Sequence, residues 1–178
     1  MCAVSLRYAT LGLLAQHPAS GYDLLKRFEA SMGNVWPATQ SQLYGELNKL
    51  AADGLIEVTA VGARGRKEYA VTDAGRADLR AWVTRTADPT PIRRPDILRV
   101  FLLSEVPGAD ARAHVGGIAD HAEQALARFE AIRDSVPWDD SAGDFYARAA
   151  LEYGIRSATL EAEWAHWLLG EIDRRATS

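Results

Sequence analysis

Residues 39–53 read TQSQLYGELNKLAAD, and this stretch decides the fold. Thr39 followed by Gln42 three residues on is a capping box, each side chain satisfying a backbone N–H that a helix start leaves orphaned. Pro37 just before suits extended chain, and Gly54 just after Asp53 suits the left-handed residue that ends a helix. At 100° per residue Leu43, Glu46, Leu47 and Leu50 share one side. Ser41, Tyr44, Gly45, Asn48, Lys49 and Ala52 take the other. With the leucines buried, the exposed face is hydrogen-bonding, slim and partly basic, as a helix entering a DNA major groove should be. An ordinary surface helix has the same look, so its neighbours must separate the two.

Working outward toward the start, Ser5 to Gln16 is expected to form a first helix with Leu6, Leu13 and Leu14 in the core. His17-Pro18-Ala19-Ser20 breaks it. Ser20 with Asp23 caps a second helix, GYDLLKRFEASM, that buries Leu24, Leu25 and Phe28. Gly33-Asn34 closes it, and Trp36-Pro37 leads into the third. In the other direction the period changes. Ile56, Val58 and Ala60 alternate with Glu57, Thr59 and Val61 as in a strand. The turn Gly62-Ala63-Arg64-Gly65 follows, then a return strand from Glu68 to Val71. Thr72 caps a fourth helix, with Leu79, Trp82 and Val83 to bury.

Three short helices and a two-stranded hairpin with Arg64, Arg66 and Lys67 at its tip make the plan of a winged helix-turn-helix. The third helix enters the groove and the wing's cations lie along the sugar–phosphate backbone. A charged tip is commonly just solvated, and a GxxG turn also occurs in KH domains, though there it joins two helices. The order of the pieces favours DNA.

Whole-chain properties bound this reading. A length of 178 residues allows one ordinary domain or two small ones. The net charge of −4 is unevenly spread: residues 1–85 carry 10 Lys+Arg against 8 Asp+Glu, residues 86–178 carry 10 against 16. The first half is therefore the basic one. A single cysteine, Cys2, excludes an internal disulfide framework, and the apolar run from Leu11 to Ala15 is too short to cross a bilayer. A cytoplasmic location, with no membrane partner, is expected.

The blocks LRYATLGLLAQHPASGYDLLKRF, WPATQSQLYGELNKLAADGLIE and GRKEYAVTDAGRADLRAW together resemble a PadR-type transcriptional regulator. The likeness is close over the first half and looser over the second, where that family has a helical dimerisation region. It implies a homodimeric repressor or activator that binds a palindromic double-stranded operator and is open to release by a small effector. On the family pattern Gln40, Ser41, Tyr44, Asn48 and Lys49 match the recognition helix, and Arg64, Arg66 and Lys67 the wing. Gly45 stands where the family motif usually has proline, a departure that bears on base preference and not on fold.

Pro89, Pro91 and Pro95 punctuate a linker. The expected organisation is mainly α (α+β): a winged helix-turn-helix domain over 1–86, a linker over 87–95 and a long-helix dimerisation domain over 96–178. DILRVFLLSEV (96–106) reads as a short apolar helix buried at the junction. From Ala109 to about Val136 a long helix carries the heptad seam Val115, Ile118, Ala122, Ala125, Phe129, Ile132 and Val136. A last helix runs from about Ala142 to Arg174 and is apolar on two sides. Leu151, Ile155, Ala158, Ala162, Ala165, Leu169 and Ile172 make an alanine-rich stripe that permits close packing with another long helix, in this chain or a partner. Its first six residues are the candidate dimer seam. Tyr146, Tyr153, Leu160, Trp164 and Trp167 form the other stripe. Two long helices cannot easily cover both faces, so a dimer is inferred, holding two recognition helices about 34 Å apart.

Tyr153, Trp164, Trp167 and Trp138 are candidates for a pocket holding a small aromatic or apolar effector, since flat ligands stack on such rings. The plainer account makes them interface core. His114 and His121 with Asp110 and Asp120 lack a sharp ligand spacing, so neither metal nor cofactor is expected. Neither a P-loop nor GxGxxG, GxSxG, HExxH or CxxC occurs, so no enzyme is expected. The alternative to a DNA-binding regulator is a winged-helix adaptor that docks other proteins, since fold alone does not dictate function.

Overall fold

The computed structural model describes residues 2–31, 38–62, 65–85 and 94–176, with side chains from residue 6 onward except 30 and 31. The chain divides into two compact units, Met1–Thr90 and Pro91–Ser178. The first contains α1 (Cys2–Gln16), β1 (Ala19–Ser20), α2 (Gly21–Ser31), α3 (Gln40–Ala52), β2 (Ile56–Val61), β3 (Lys67–Val71) and α4 (Asp73–Thr84). The second contains α5 (Pro95–Phe101), a 3-10 turn (Leu103–Glu105), α6 (Gly108–Ser135) and α7 (Ala142–Ala176).

In the first unit, α1 is apolar around much of its girth, as a core helix should be. Leu6, Leu11, Leu13 and Leu14 are all buried. Thr10 is buried beside them, and its hydroxyl donates to the Leu6 carbonyl at 2.8 Å, which removes the penalty of an unpaired polar group. Leu24 and Phe28 of α2 and Leu43, Leu47 and Leu50 of α3 close the core around it, while Leu25 is only half-buried.

The sheet has three strands, not the two expected, in the order β1-β3-β2 and antiparallel throughout. Ala19 and Ser20, read from sequence as part of a breaker, pair with Tyr69 and Glu68. Two residues are too few to show a period, so this strand exists only because β3 offers it a free edge. The alternation read for β2 also fails in part. Ile56 is buried, but Val58 is 42% exposed and the rest of the strand is exposed. A bulge between Val58 and Ala60 interrupts the register, and beyond it the hairpin projects past the core.

Thr72 organises the return from the hairpin. Its hydroxyl accepts from the Gly75 N–H at 3.1 Å and donates to the Gly54 carbonyl at 2.8 Å. A Cβ on Gly75 would sit 2.1 Å from the Leu55 carbonyl oxygen, so only glycine lets α4 start this close. Of the side chains expected to be buried on α4, Leu79 is half-buried, Trp82 is 38% exposed and Val83 66% exposed. Trp82 stacks on Tyr8 of α1, ring centroids 4.4 Å apart.

The second unit is built on α6 and α7. Val115, Ala119 and Ala165 are its buried centre, with Ile118, Trp164, Leu168, Leu169 and Ile172 packed around. Small residues on both helices bring the backbones close: Ala111 and Ala122 are buried on α6, Ala158 and Ala162 on α7. A Cβ on Gly154 would lie 3.3 Å from the Phe129 ring. The alanine-rich stripe of α7 is therefore covered by α6 of the same chain. Ala158, Ala162 and Ala165, drawn from sequence as dimer seam, have no surface left for a partner, and Leu151, Ile155 and Leu169 are half-buried on the same side.

The other stripe stays uncovered except at Trp164, which packs into the α6–α7 core. Tyr146, Tyr153, Leu160 and Trp167, each seven residues from the next, are 57–75% exposed. The segment expected to be buried at the junction is exposed as well, Leu98 at 59% and Phe101 at 80%. Pro95, assigned to the linker, opens α5 instead, at a helix position where its missing N–H is not needed. Thr86, residues 87–93 of that linker, Gly33-Asn34 and Trp36-Pro37 lie outside the described residues.

Candidate nucleic-acid interface

The presentation of α3 follows from its two ends. The Gln42 N–H donates to Thr39 Oγ1 at 3.3 Å, and the Thr39 N–H donates to Gln42 Oε1 at 2.8 Å, the reciprocal box expected. At the other end Gly54 has φ 70°, its N–H donates to Ala51 O at 3.1 Å, and the Leu55 N–H donates to Leu50 O at 2.9 Å. That is the Schellman pattern, which turns the chain sharply toward β2. Between these ends Leu43, Leu47 and Leu50 are fully buried, so the rotation of α3 about its axis is set. Gln40, Ser41, Tyr44, Asn48 and Lys49 all come out exposed, on one helix and available together.

Two of these side chains have internal partners. The Tyr44 ring lies over the start of α2, where a Cβ on Gly21 would meet its Cε1 at 2.7 Å. Glycine at 21 thus admits the ring, and Tyr44 is only 37% exposed. Lys49 Nζ lies 3.6 Å from Glu46 Oε2. Glu46 is buried, and its charge is further balanced by Arg7 of α1 at 4.0 Å. Arg7 also donates to Asp53 Oδ2 at 2.8 Å and comes within 3.8 Å of Asp78. The hydrogen bond to Asp53 leads the causes that hold the Arg7 guanidinium above its ordinary pKa. One α1 side chain so ties α3 to α4, a role that nothing in the local sequence pattern signals.

The wing is closed by the Gly62 N–H donating to Arg66 O at 2.7 Å, with Gly65 at φ 75°. Arg66 and Lys67 are exposed beside it, while Arg64 lies outside the described residues. Arg66 Nη2 donates to Asp23 Oδ2 of α2. The Asp23 carboxyl is held below its usual range, first by the Ser20 hydroxyl and then by Arg66. Asp23 was read from sequence only as a capping partner of Ser20; its link to the wing crosses 43 positions and leaves no sequence signal.

The four aromatics singled out as effector contacts are not gathered. Trp138 is half-buried in the turn before α7, its indole N–H donating to the Arg133 carbonyl at 2.8 Å. Tyr153 and Trp167 are exposed along α7, about 21 Å apart at 1.5 Å per residue. Trp164 packs into the α6–α7 core. An open cleft of about 630 Å³ lies elsewhere in this unit, with Val100, Leu103, Leu168 and Ile172 on its walls and Arg112 and Arg175 among its polar residues. Among the described residues no group of three or more His, Cys, Asp or Glu could hold a metal ion, and no helix is long and apolar enough to cross a membrane.

A capped helix with an exposed polar face, packed on two helices and flanked by a cationic hairpin, defines the winged helix-turn-helix class. Two family models match successive parts of the chain: the PadR-like transcriptional regulators over residues 10–81 and the virulence activator alpha C-terminal region over residues 92–173. The negative transcriptional regulator PadR of Bacillus subtilis is 28% identical over 184 residues, spanning 95% of this chain and 98% of that protein. A probable transcriptional regulator of Mycobacterium tuberculosis is 37% identical over 90 residues, 49% of this chain and 48% of that one. The crystal structure of Bacillus subtilis PadR in complex with operator DNA matches with a TM-score of 0.81 at 27% identity, covering 94% of this chain and 99% of that one. The Vibrio cholerae virulence activator AphA shares the fold, with a TM-score of 0.81 at 23% identity over 96% and 99% of the two chains. Residues 10–81 thus form a PadR-like transcriptional regulator domain, and the whole chain is similar in sequence and fold to the Bacillus subtilis regulator.

Proposed function

We propose that this chain works as a cytoplasmic homodimer that binds a two-fold symmetric operator, represses transcription there and is released by a small apolar or aromatic effector. The observation that carries the reading is the face of α3: five polar side chains exposed together on a helix fixed by a fully buried leucine stripe and two closed caps. Gln40, Ser41, Tyr44 and Asn48 are assigned to base edges, and Lys49 and the cationic wing to phosphate. The dimer is supported by the uncovered row of Tyr146, Tyr153, Leu160 and Trp167, whose spacing of seven suits packing on a second long helix. Release by a small molecule is supported by the Bacillus subtilis relative, which has been solved with p-coumaric acid. The open cleft at Leu103, Leu168 and Ile172, with Arg112 and Arg175 beside it, suits a flat apolar acid. The chain acts by binding, not by catalysis.

Gel retardation of the duplex upstream of its own gene, at several salt concentrations, tests this directly. Retardation that weakens steeply with salt is expected, because phosphate contacts release counterions. No retardation even at low salt would sink the operator reading and favour a protein-docking adaptor run by the acidic second half.

A further inference from the structure

We propose that Arg66 is a positioning residue that latches the wing to α2 through Asp23, leaving its neighbour Lys67 to contact phosphate. The proposal rests on the operator reading above and divides the roles of two adjacent cations within it. Asp23 Oδ2 accepts both from Arg66 Nη2 and from the Ser20 hydroxyl, the latter at 2.8 Å. Ser20 in turn pairs with Glu68 in the β1–β3 ladder, two residues from Arg66. A backbone tie and a side-chain tie thus join the same two places, the start of α2 and the outer end of the hairpin. The hairpin needs them. Beyond its bulge Ala60 and Val61 are exposed, so no apolar packing holds the outer wing against the core. Lys67 is also exposed and has no ion-pair partner among the described residues, so its charge is free for DNA.

The sign of one substitution separates a latch from a bystander. A carboxylate beside a DNA-facing surface repels phosphate, so removing its charge should tighten binding if repulsion is all it contributes. If it holds the wing, removing its charge should weaken binding. Asp23→Asn is suited to this because an amide oxygen can still accept from Ser20. Affinity for the upstream duplex that the wild type retards would be measured by fluorescence anisotropy across a salt series, with thermal unfolding alongside. Asp23→Asn and Arg66→Gln are each expected to bind roughly threefold more weakly, the range of an exposed ion pair, with the wild-type salt slope unchanged. The double variant should be no weaker than either single one. Lys67→Ala should flatten the slope by about one unit. Tighter or equal binding by Asp23→Asn, or a slope flattened by about one unit in Arg66→Gln, would overturn the latch. Should Asp23→Asn fail to fold, the Arg66→Gln slope decides alone. A wild type that binds no duplex would overturn the operator reading and this proposal together.

Discussion

The two units reach stability by different routes. The first encloses leucines and a phenylalanine from three helices and leaves polar groups outside, so its core is complete within one chain. The second is two long helices joined by small residues, with Val115 and Ala165 among its few fully buried side chains. Tyr146, Tyr153 and Trp167 point outward. A pair of helices offers one shared face, and α7 has two apolar ones. The first unit thus has surface to spare for a ligand, whereas the second has surface that needs another protein. Its folding should therefore depend on chain concentration, which mass action makes measurable.

The largest effect is expected where the first unit is broken from inside. Leu47→Ala should cost about 2–5 kcal/mol, read by chemical denaturation, because a fully buried leucine leaves a cavity. That loss should be the same at every protein concentration; if it varied, the first unit would not be self-contained. Next is the outward face of α7. Leu160→Glu should weaken dimerisation by about 2–4 kcal/mol in sedimentation, since it puts a charge at the middle of an apolar interface. An unchanged dimer would remove that row from the interface. Smaller again is Asn48→Ala, expected to cost about 1–3 kcal/mol of discrimination at one base pair with little change in stability. Competition binding with single-base operator variants would detect it, and a flat profile would take the α3 face out of base reading. The smallest effect is acidic. Asp23 has its carboxyl depressed by Ser20 and Arg66, so its contribution is full above the ordinary carboxylate value and fades as pH falls through the lowered one. Acid titration of wild type against Asp23→Asn should show the two stability curves converging at low pH.

Much of the first unit was legible because its signals are local. The Thr39–Gln42 box, the Ser20–Asp23 cap, Gly54 after the helix and the leucine spacing each act within a few residues, and each appears as read. The wing was legible as a hairpin, but its bulge was not: β2 keeps its alternating residues while the register shifts after Val58, and Ala60 and Val61 beyond it are both exposed. β1, at two residues, was too short to read. In the second unit the long helices and the two apolar stripes were plain. Which stripe meets which helix was not, because Leu151, Ala158 and Ala165 on one side and Tyr153, Leu160 and Trp167 on the other are equally apolar by pattern.

Sequence by itself determined the elements and their ends, since capping, helix periodicity and turn chemistry depend on neighbours a few positions away. Only the tertiary structure decided that the alanine stripe of α7 closes on α6, leaving the aromatic row outside. It alone paired Arg66 with Asp23 and set Arg7 among Glu46, Asp53 and Asp78. The physical reason is range: a hydrogen bond or a packed face acts over a few ångströms of space, whatever the distance along the chain.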